Sequence, residues 1–161
     1  MIYAGIYILA LVVANLLVAW LGAWFSLVNA FVLIGLDLSI RDKLHDLWQG
    51  EKLAIKMGGL IATASIVSYA INPATGMIAF ASLAAFSLSM VADSFFYQYL
   101  KDREWLIRSN GSNIAGSLVD SIVFPTIAFG SLMLHIVALQ FVAKVAGGLI
   151  WSKLLEKKND I

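Results

Sequence analysis

Long apolar stretches separated by short polar ones dominate the chain. The first is Ile2–Leu21, in which Asn15 is the one strongly polar residue. The second covers 24–40 and ends at Arg41. The third, Leu53–Ile71, stops at Asn72-Pro73, a pair typical of turns. Three more cover 75–99, 112–129 and 131–151. Pro125 falls inside the fifth, where a membrane helix tolerates it if neighbours re-satisfy the freed carbonyl, and a kink is expected there. A helix needs about 20 apolar residues to cross the hydrocarbon. The pattern therefore predicts an all-α integral membrane protein, one bundle of six transmembrane helices forming a single domain over 1–161. No Lys or Arg precedes the first stretch and further spans follow it, so it reads as a span and not as a cleaved leader.

Composition narrows the class without changing it. Of the 161 residues, 61% are apolar and 13% charged, and there is no cysteine. Ordinary soluble domains carry roughly 45–50% apolar and about 25% charged residues. A soluble globule, a disordered chain and a disulfide scaffold are excluded, and so are thiolate chemistry and thiolate metal sites. The formal net charge of +1 gives no reason to expect a nucleic-acid partner.

The placement of the charges adds a direction. Arg41, Lys43, Lys52 and Lys56 flank the link after the second span. Lys101, Arg103 and Arg108 follow the fourth, and Lys153, Lys157 and Lys158 follow the sixth. The other links carry no charge. With six spans all of these basic residues, and both termini, fall on one side. By the positive-inside rule that side is the cytoplasm, so a multi-pass membrane protein with both termini inside is expected. Trp20 and Trp24 are expected at the outer interface, and Trp48, Trp105 and Trp151 at the inner one.

Charges at bilayer depth are costly and usually face the bundle interior or a pathway. Asp37, Asp93, Asp120 and Lys144 lie within the spans. At about 1.5 Å per residue, Asp120 and Lys144 both come some 12–15 Å from the inner interface and can meet near mid-membrane. Asp93 and Asp37 lie nearer the cytoplasmic side. Ser89-x-x-x-Asp93 in span four is echoed by Gly116-x-x-x-Asp120 in span five. In each, a small residue sits one turn before the acid on the same face, so two facing acids could frame a polar recess between the helices. Ordinary small-residue packing accounts equally well for the echo. Ala10-x-x-x-Ala14 and Ala19-x-x-x-Ala23 form a close-approach stripe on the first span, for internal packing or for a partner subunit.

Enzymatic readings find little. The chain has no nucleophile elbow, phosphate loop or His-Glu-x-x-His motif. Asp93 and Asp120 would formally serve as an intramembrane protease pair, a remote option. His135 has no second His or acidic neighbour, so neither metal nor cofactor is expected.

Three stretches together resemble the vitamin-uptake-transporter family, whose best-understood members carry queuosine precursors. They are Gly35-Leu36-Asp37-Leu38-Ser39-Ile40-Arg41-Asp42; Ala92-Asp93-Ser94-Phe95-Phe96-Tyr97-Gln98-Tyr99-Leu100-Lys101 with Trp105-Leu106-Ile107-Arg108; and Gly116-Ser117-Leu118-Val119-Asp120-Ser121-Ile122-Val123-Phe124. Phe141-Val142-Ala143-Lys144 and Asn15 also have counterparts, so the resemblance runs over about 15–144. It implies a six-helix, multi-pass importer in a bacterial-type inner (plasma) membrane, carrying a 7-deazaguanine such as 7-cyano-7-deazaguanine, with Asp37, Arg41, Asp93, Asp120 and Lys144 carried over. At two positions where the family often has an amide, three residues before each of the paired aspartates, this chain has Met90 and Ser117. The resulting expectation is a solute site between spans four, five and six. Ser89, Asp93, Ser117 and Asp120 exchange hydrogen bonds with the solute, Lys144 neutralises Asp120, Asn15 contributes from the first span, and Asp37 and Arg41 form gating or structural ion pairs. Two alternatives stay open: a substrate-capture subunit docked on an ATP-driven energising module, and a structural membrane scaffold. Under any of these readings the protein could self-associate as a homo-oligomer.

Overall fold

A computed structural model of the protein describes residues 2–48, 52–103 and 105–156. Every regular element among them is helical: α1 (Ile2–Leu21), α2 (Phe25–Asn29), a π-helical segment (Ala30–Ile34), α3 (Gly35–Trp48), α4 (Leu53–Ile71), a 3₁₀ turn (Pro73–Thr75), α5 (Gly76–Tyr99), α6 (Trp105–Phe129) and α7 (Leu134–Glu156). The residues joining α2, the π segment and α3 keep helical dihedrals, so the three form one rod. Six rods result, in the order that the apolar stretches predict.

Their ends follow local chemistry. Gly22 and Gly130 take positive φ (79° and 69°) where α1 and α6 stop, a conformation open to glycine at no steric cost. After α4, Asn72 becomes extended and its side chain accepts from the Ala74 N–H at 3.0 Å, while Pro73 opens the 3₁₀ turn. Three helices depart from the apolar stretches: α3 runs on to Trp48, past the expected end at 40, and α6 and α7 start elsewhere, α7 also continuing to Glu156. α6 begins at Trp105, several residues before the apolar run, because polar residues at a membrane surface can still be helical. α7 begins at Leu134 instead of 131, because the Gly130 turn uses the intervening residues. α6 continues through Pro125 to Phe129.

Among the described residues, four stretches are long and apolar enough to cross a bilayer: Ile2–Leu21, Pro73–Phe96, Gly111–Phe129 and Leu134–Trp151. The apolar parts of the other two rods, Phe25–Asp37 and Ile55–Ile71, are shorter. The burial pattern points the same way. Large apolar side chains such as Leu9, Ile66, Phe95 and Val142 lie on the outside, whereas Asn15, Asn29, Asp37, Gln140 and Lys144 are buried. A water-soluble globule would invert this arrangement; a chain solvated by lipid requires it.

The rods close into a ring. α1 packs against α2, the π segment and α3 on one side and α4 on the other; α4 packs on α5, α5 on α6, α6 on α7, and α7 back on α3 and the π segment. Small residues allow the closest approaches. Ala10 and Ala14 are buried within the chain, so that part of the alanine stripe is used for internal packing. The Ala14 carbonyl accepts from Asn29 Nδ2 at 2.9 Å, tying α1 to α2. On the opposite side, Ser82 Oγ donates to Asn15 Oδ1 (2.8 Å), Asn15 Nδ2 donates to Ser68 Oγ (3.2 Å), and Ser68 Oγ donates to the Ala64 carbonyl (2.7 Å). Asn15 thus links α1, α4 and α5. Asn15→Leu is expected to destabilise the protein by about 1–2 kcal/mol, the upper range for interhelical hydrogen bonds in membranes. Denaturant unfolding in detergent would read this, and an unchanged midpoint would remove Asn15 from the account of ring closure.

Trp20 and Trp24 are exposed at the α1–α2 turn, as befits an interface. At the other end of the α2–α3 rod the Lys56 ammonium lies 5.3 Å from the centre of the Trp48 ring.

Candidate functional site

The centre of the ring is not filled. A cavity of about 80 Å³ is lined from all six rods. It extends along α1 from Tyr7 to Val18, about 16 Å of helix. Its wall is unusually polar for bilayer depth. Tyr7, Asn15, Asn29, Asp37, Asp120, Gln140, Lys144 and four serines face it, with Phe86 and Phe124 among the apolar remainder.

Asp120 and Lys144 meet, as depth arithmetic from the sequence predicts. Lys144 Nζ donates to Asp120 Oδ2 and lies 3.3 Å from Gln140 Oε1. The Lys144 side chain is 4% exposed and that of Asp120 is 25% exposed. The lysine is sealed into the wall, while the carboxylate keeps a face toward the open space. Gln140 Nε2 in turn donates to Ser26 Oγ at 2.7 Å, and Ser26 donates to the Ala23 carbonyl. A continuous polar chain runs from the α1–α2 turn through Ser26, Gln140 and Lys144 to Asp120.

Of the other residues singled out in the sequence, Asn15, Asp37, Ser89 and Ser117 all reach the wall. Ser89 Oγ donates to the Phe86 carbonyl at 3.0 Å, leaving its oxygen free to accept. The Arg41 side chain lies outside the described ones. Asp93 is not in the wall. It sits half-buried on the α5–α6 seam, and its Oδ1 has no hydrogen-bond partner among the described residues. Gly116 explains the difference between the two acids. A Cβ there would lie 3.3 Å from the Ser89 carbonyl oxygen and 3.4 Å from Asp93 Cβ, so glycine lets α5 and α6 close at this level. Asp93 is caught in that close contact. Asp120, one turn further along α6, emerges beyond it into the cavity.

Gln140, Asn29 and Tyr7 are wall residues that the sequence reading passed over, as are Phe86 and Phe124. One signal for Gln140 was available: an amide exactly one helical turn before Lys144 shares its face. Asn29 was equally visible as an amide within an apolar run. The phenylalanines carry no mark that separates a cavity-lining aromatic from a lipid-facing one.

The wall can recognise a flat polar solute. Asp120 offers acceptor lone pairs while held in place by Lys144. Asn15, Asn29 and Gln140 add amides to the same wall, already engaged by Ser82 and Ser68, by the Ala14 carbonyl, and by Ser26 and Lys144, so they set its polarity and shape. None of these amides stands at the positions of Met90 and Ser117, of which Ser117 reaches the wall and Met90 is not among the lining residues. Phe86 and Phe124 provide ring faces or edges for an aromatic solute.

Comparison with protein families supplies the remaining constraint. Residues 1–155 match the family described as "Putative vitamin uptake transporter". The chain belongs to that family. No curated protein and no solved structure matches it. Membership covers nearly the whole chain and agrees with a multi-pass membrane protein that has a central cavity.

Proposed function

We propose that this vitamin-uptake-family protein imports a small, flat, nitrogen-rich heterocycle, a 7-deazaguanine such as 7-cyano-7-deazaguanine, through the central cavity. In this reading all six rods cross a bacterial inner membrane, with both termini in the cytoplasm. The observation that carries it is the Asp120–Lys144 pair on a wall that combines amides and phenylalanines at bilayer depth. Membrane bundles can pack on small residues alone, so a buried pair opening onto a cavity is better explained by a polar cargo than by packing. Asp120 accepts N–H groups of the heterocycle, Phe86 and Phe124 contact its faces, and Lys144 keeps the carboxylate ionised and oriented before the solute arrives.

Uptake of labelled 7-cyano-7-deazaguanine by cells expressing the protein tests this. Asp120→Asn keeps the shape but loses one acceptor oxygen and the charge that holds Lys144. Uptake is expected to fall by at least about tenfold, the effect of one charge-assisted hydrogen bond. Wild-type uptake no greater than that of cells lacking the protein would overturn the assignment of solute.

A further inference from the structure

The α2–α3 rod touches α7 in two physically different ways. Around the π segment and the start of α3 the contact is backbone on backbone. A Cβ on Gly147 would come 2.2 Å from the Phe31 carbonyl oxygen, and one on Gly35 would come 2.7 Å from the Gly147 carbonyl carbon. Nearer the Gly22 turn the named contacts are between side chains. Gln140 Nε2 donates to Ser26 Oγ at 2.7 Å, and above them the rings of Trp24 and His135 lie with centroids 5.6 Å apart. Ser26 and Gln140 are buried cavity residues, whereas Trp24 and His135 are exposed. The π segment carries the glycine contact through Phe31, and α2, which carries the side-chain contact, adjoins it on the Gly22 side. Its wider turn breaks the regular α-helical ladder, a feature frequent at functional sites.

We propose that the seam between α2 and α7 is the solute's access gate on the face that carries the Gly22 turn, and that Gln140 is the positioning residue coupling this gate to the Asp120–Lys144 pair. The proposal rests on the reading of the cavity as the solute site. α2 is five residues long and bounded by a glycine turn on one side and the π segment on the other, so it can swing from α7 while the glycine contact below stays fixed. With the seam closed, Ser26 holds the Gln140 amide so that Oε1 faces Lys144, and the ammonium is directed onto Asp120. With the seam open, Gln140 loses that restraint and the pair loses its alignment. Access and solute recognition thereby share one side chain.

The absence of cysteine from the chain makes the test direct. Ser117→Cys places a single thiol in the cavity wall, and its reaction with a membrane-impermeant maleimide is timed from each face, in intact cells and in inverted vesicles. Adding Gln140→Leu, or the smaller change Ser26→Ala, is expected to speed labelling from the Gly22-turn face by about tenfold, the shift expected from losing one buried hydrogen bond. Labelling from the other face stays unchanged, and Gln140→Glu, which keeps an acceptor for Lys144, gives a smaller increase than Gln140→Leu. No change in either background overturns the proposal. So does an increase from both faces, which would mean general loosening, or an increase from the opposite face alone. The labelling needs no solute. Failure of the wild type to bind 7-deazaguanines would therefore count against the substrate assignment and leave the gate result standing.

Discussion

Lys144→Met is expected to abolish solute uptake and to destabilise the protein by about 1–3 kcal/mol, the cost of leaving a partly buried carboxylate without its partner. Lys144 is buried, and it contacts both Asp120 and Gln140. Methionine fills much of its volume but leaves the carboxylate at bilayer depth without a cation. The double variant Lys144→Met with Asp120→Asn separates two roles. Removing both charges is expected to recover most of the lost stability, because the uncompensated charge is gone. It is not expected to recover uptake, because the anchored acceptor is gone as well. Unfolding in detergent reads the first quantity and labelled solute the second. Recovery of both by the double variant would reduce the pair to packing.

Gly147→Ala is expected to reduce stability by at least about 1–3 kcal/mol, the usual cost of forcing an extra methyl into a packed contact. The added carbon would sit 2.2 Å from the Phe31 carbonyl oxygen, 3.0 Å from its carbonyl carbon and 3.2 Å from its Cα. All three are backbone atoms, so relief requires moving the π segment or α7. The natural contrast is Gly59→Ala on α4, where nothing lies within 4 Å of the added carbon. That change is expected to be neutral or stabilising by up to about 1 kcal/mol, since alanine favours a helix interior over glycine. Thermal unfolding of the two variants side by side checks the pair of expectations. Equal behaviour would contradict the close crossing of α3, the π segment and α7.

The sequence made some of this architecture legible and hid the rest for identifiable reasons. Apolar stretches near bilayer length announced six rods, because covering a helix in lipid leaves little freedom of composition. Asp120 and Lys144 could be paired in advance because rise per residue fixes depth. Depth does not fix which way a side chain points. Asp93 and Asp120 read as equivalent in the Ser89/Gly116 echo, yet one lies on a helix seam and the other in the cavity wall. That difference depends on the register of α5 against α6. The crossing at Gly35 and Gly147 was invisible for a related reason: a glycine in an apolar run has the same local signature whether it touches lipid or another backbone. The π segment at Ala30–Ile34 follows no motif, and it coincides with the carbonyl that packs on Gly147.

Binding to the purified protein tests the central claim most directly. Equilibrium titration of detergent-solubilised protein with 7-cyano-7-deazaguanine, followed by thermal shift or tryptophan fluorescence, should show one saturable site in the wild type. The same titration should show a weakened or absent site in Asp120→Asn while Asp93→Asn, altered outside the cavity wall, keeps it. Absence of binding in the wild type to this and related bases, or equal binding by the wild type and Asp120→Asn, would contradict a heterocycle site built on Asp120 and Lys144.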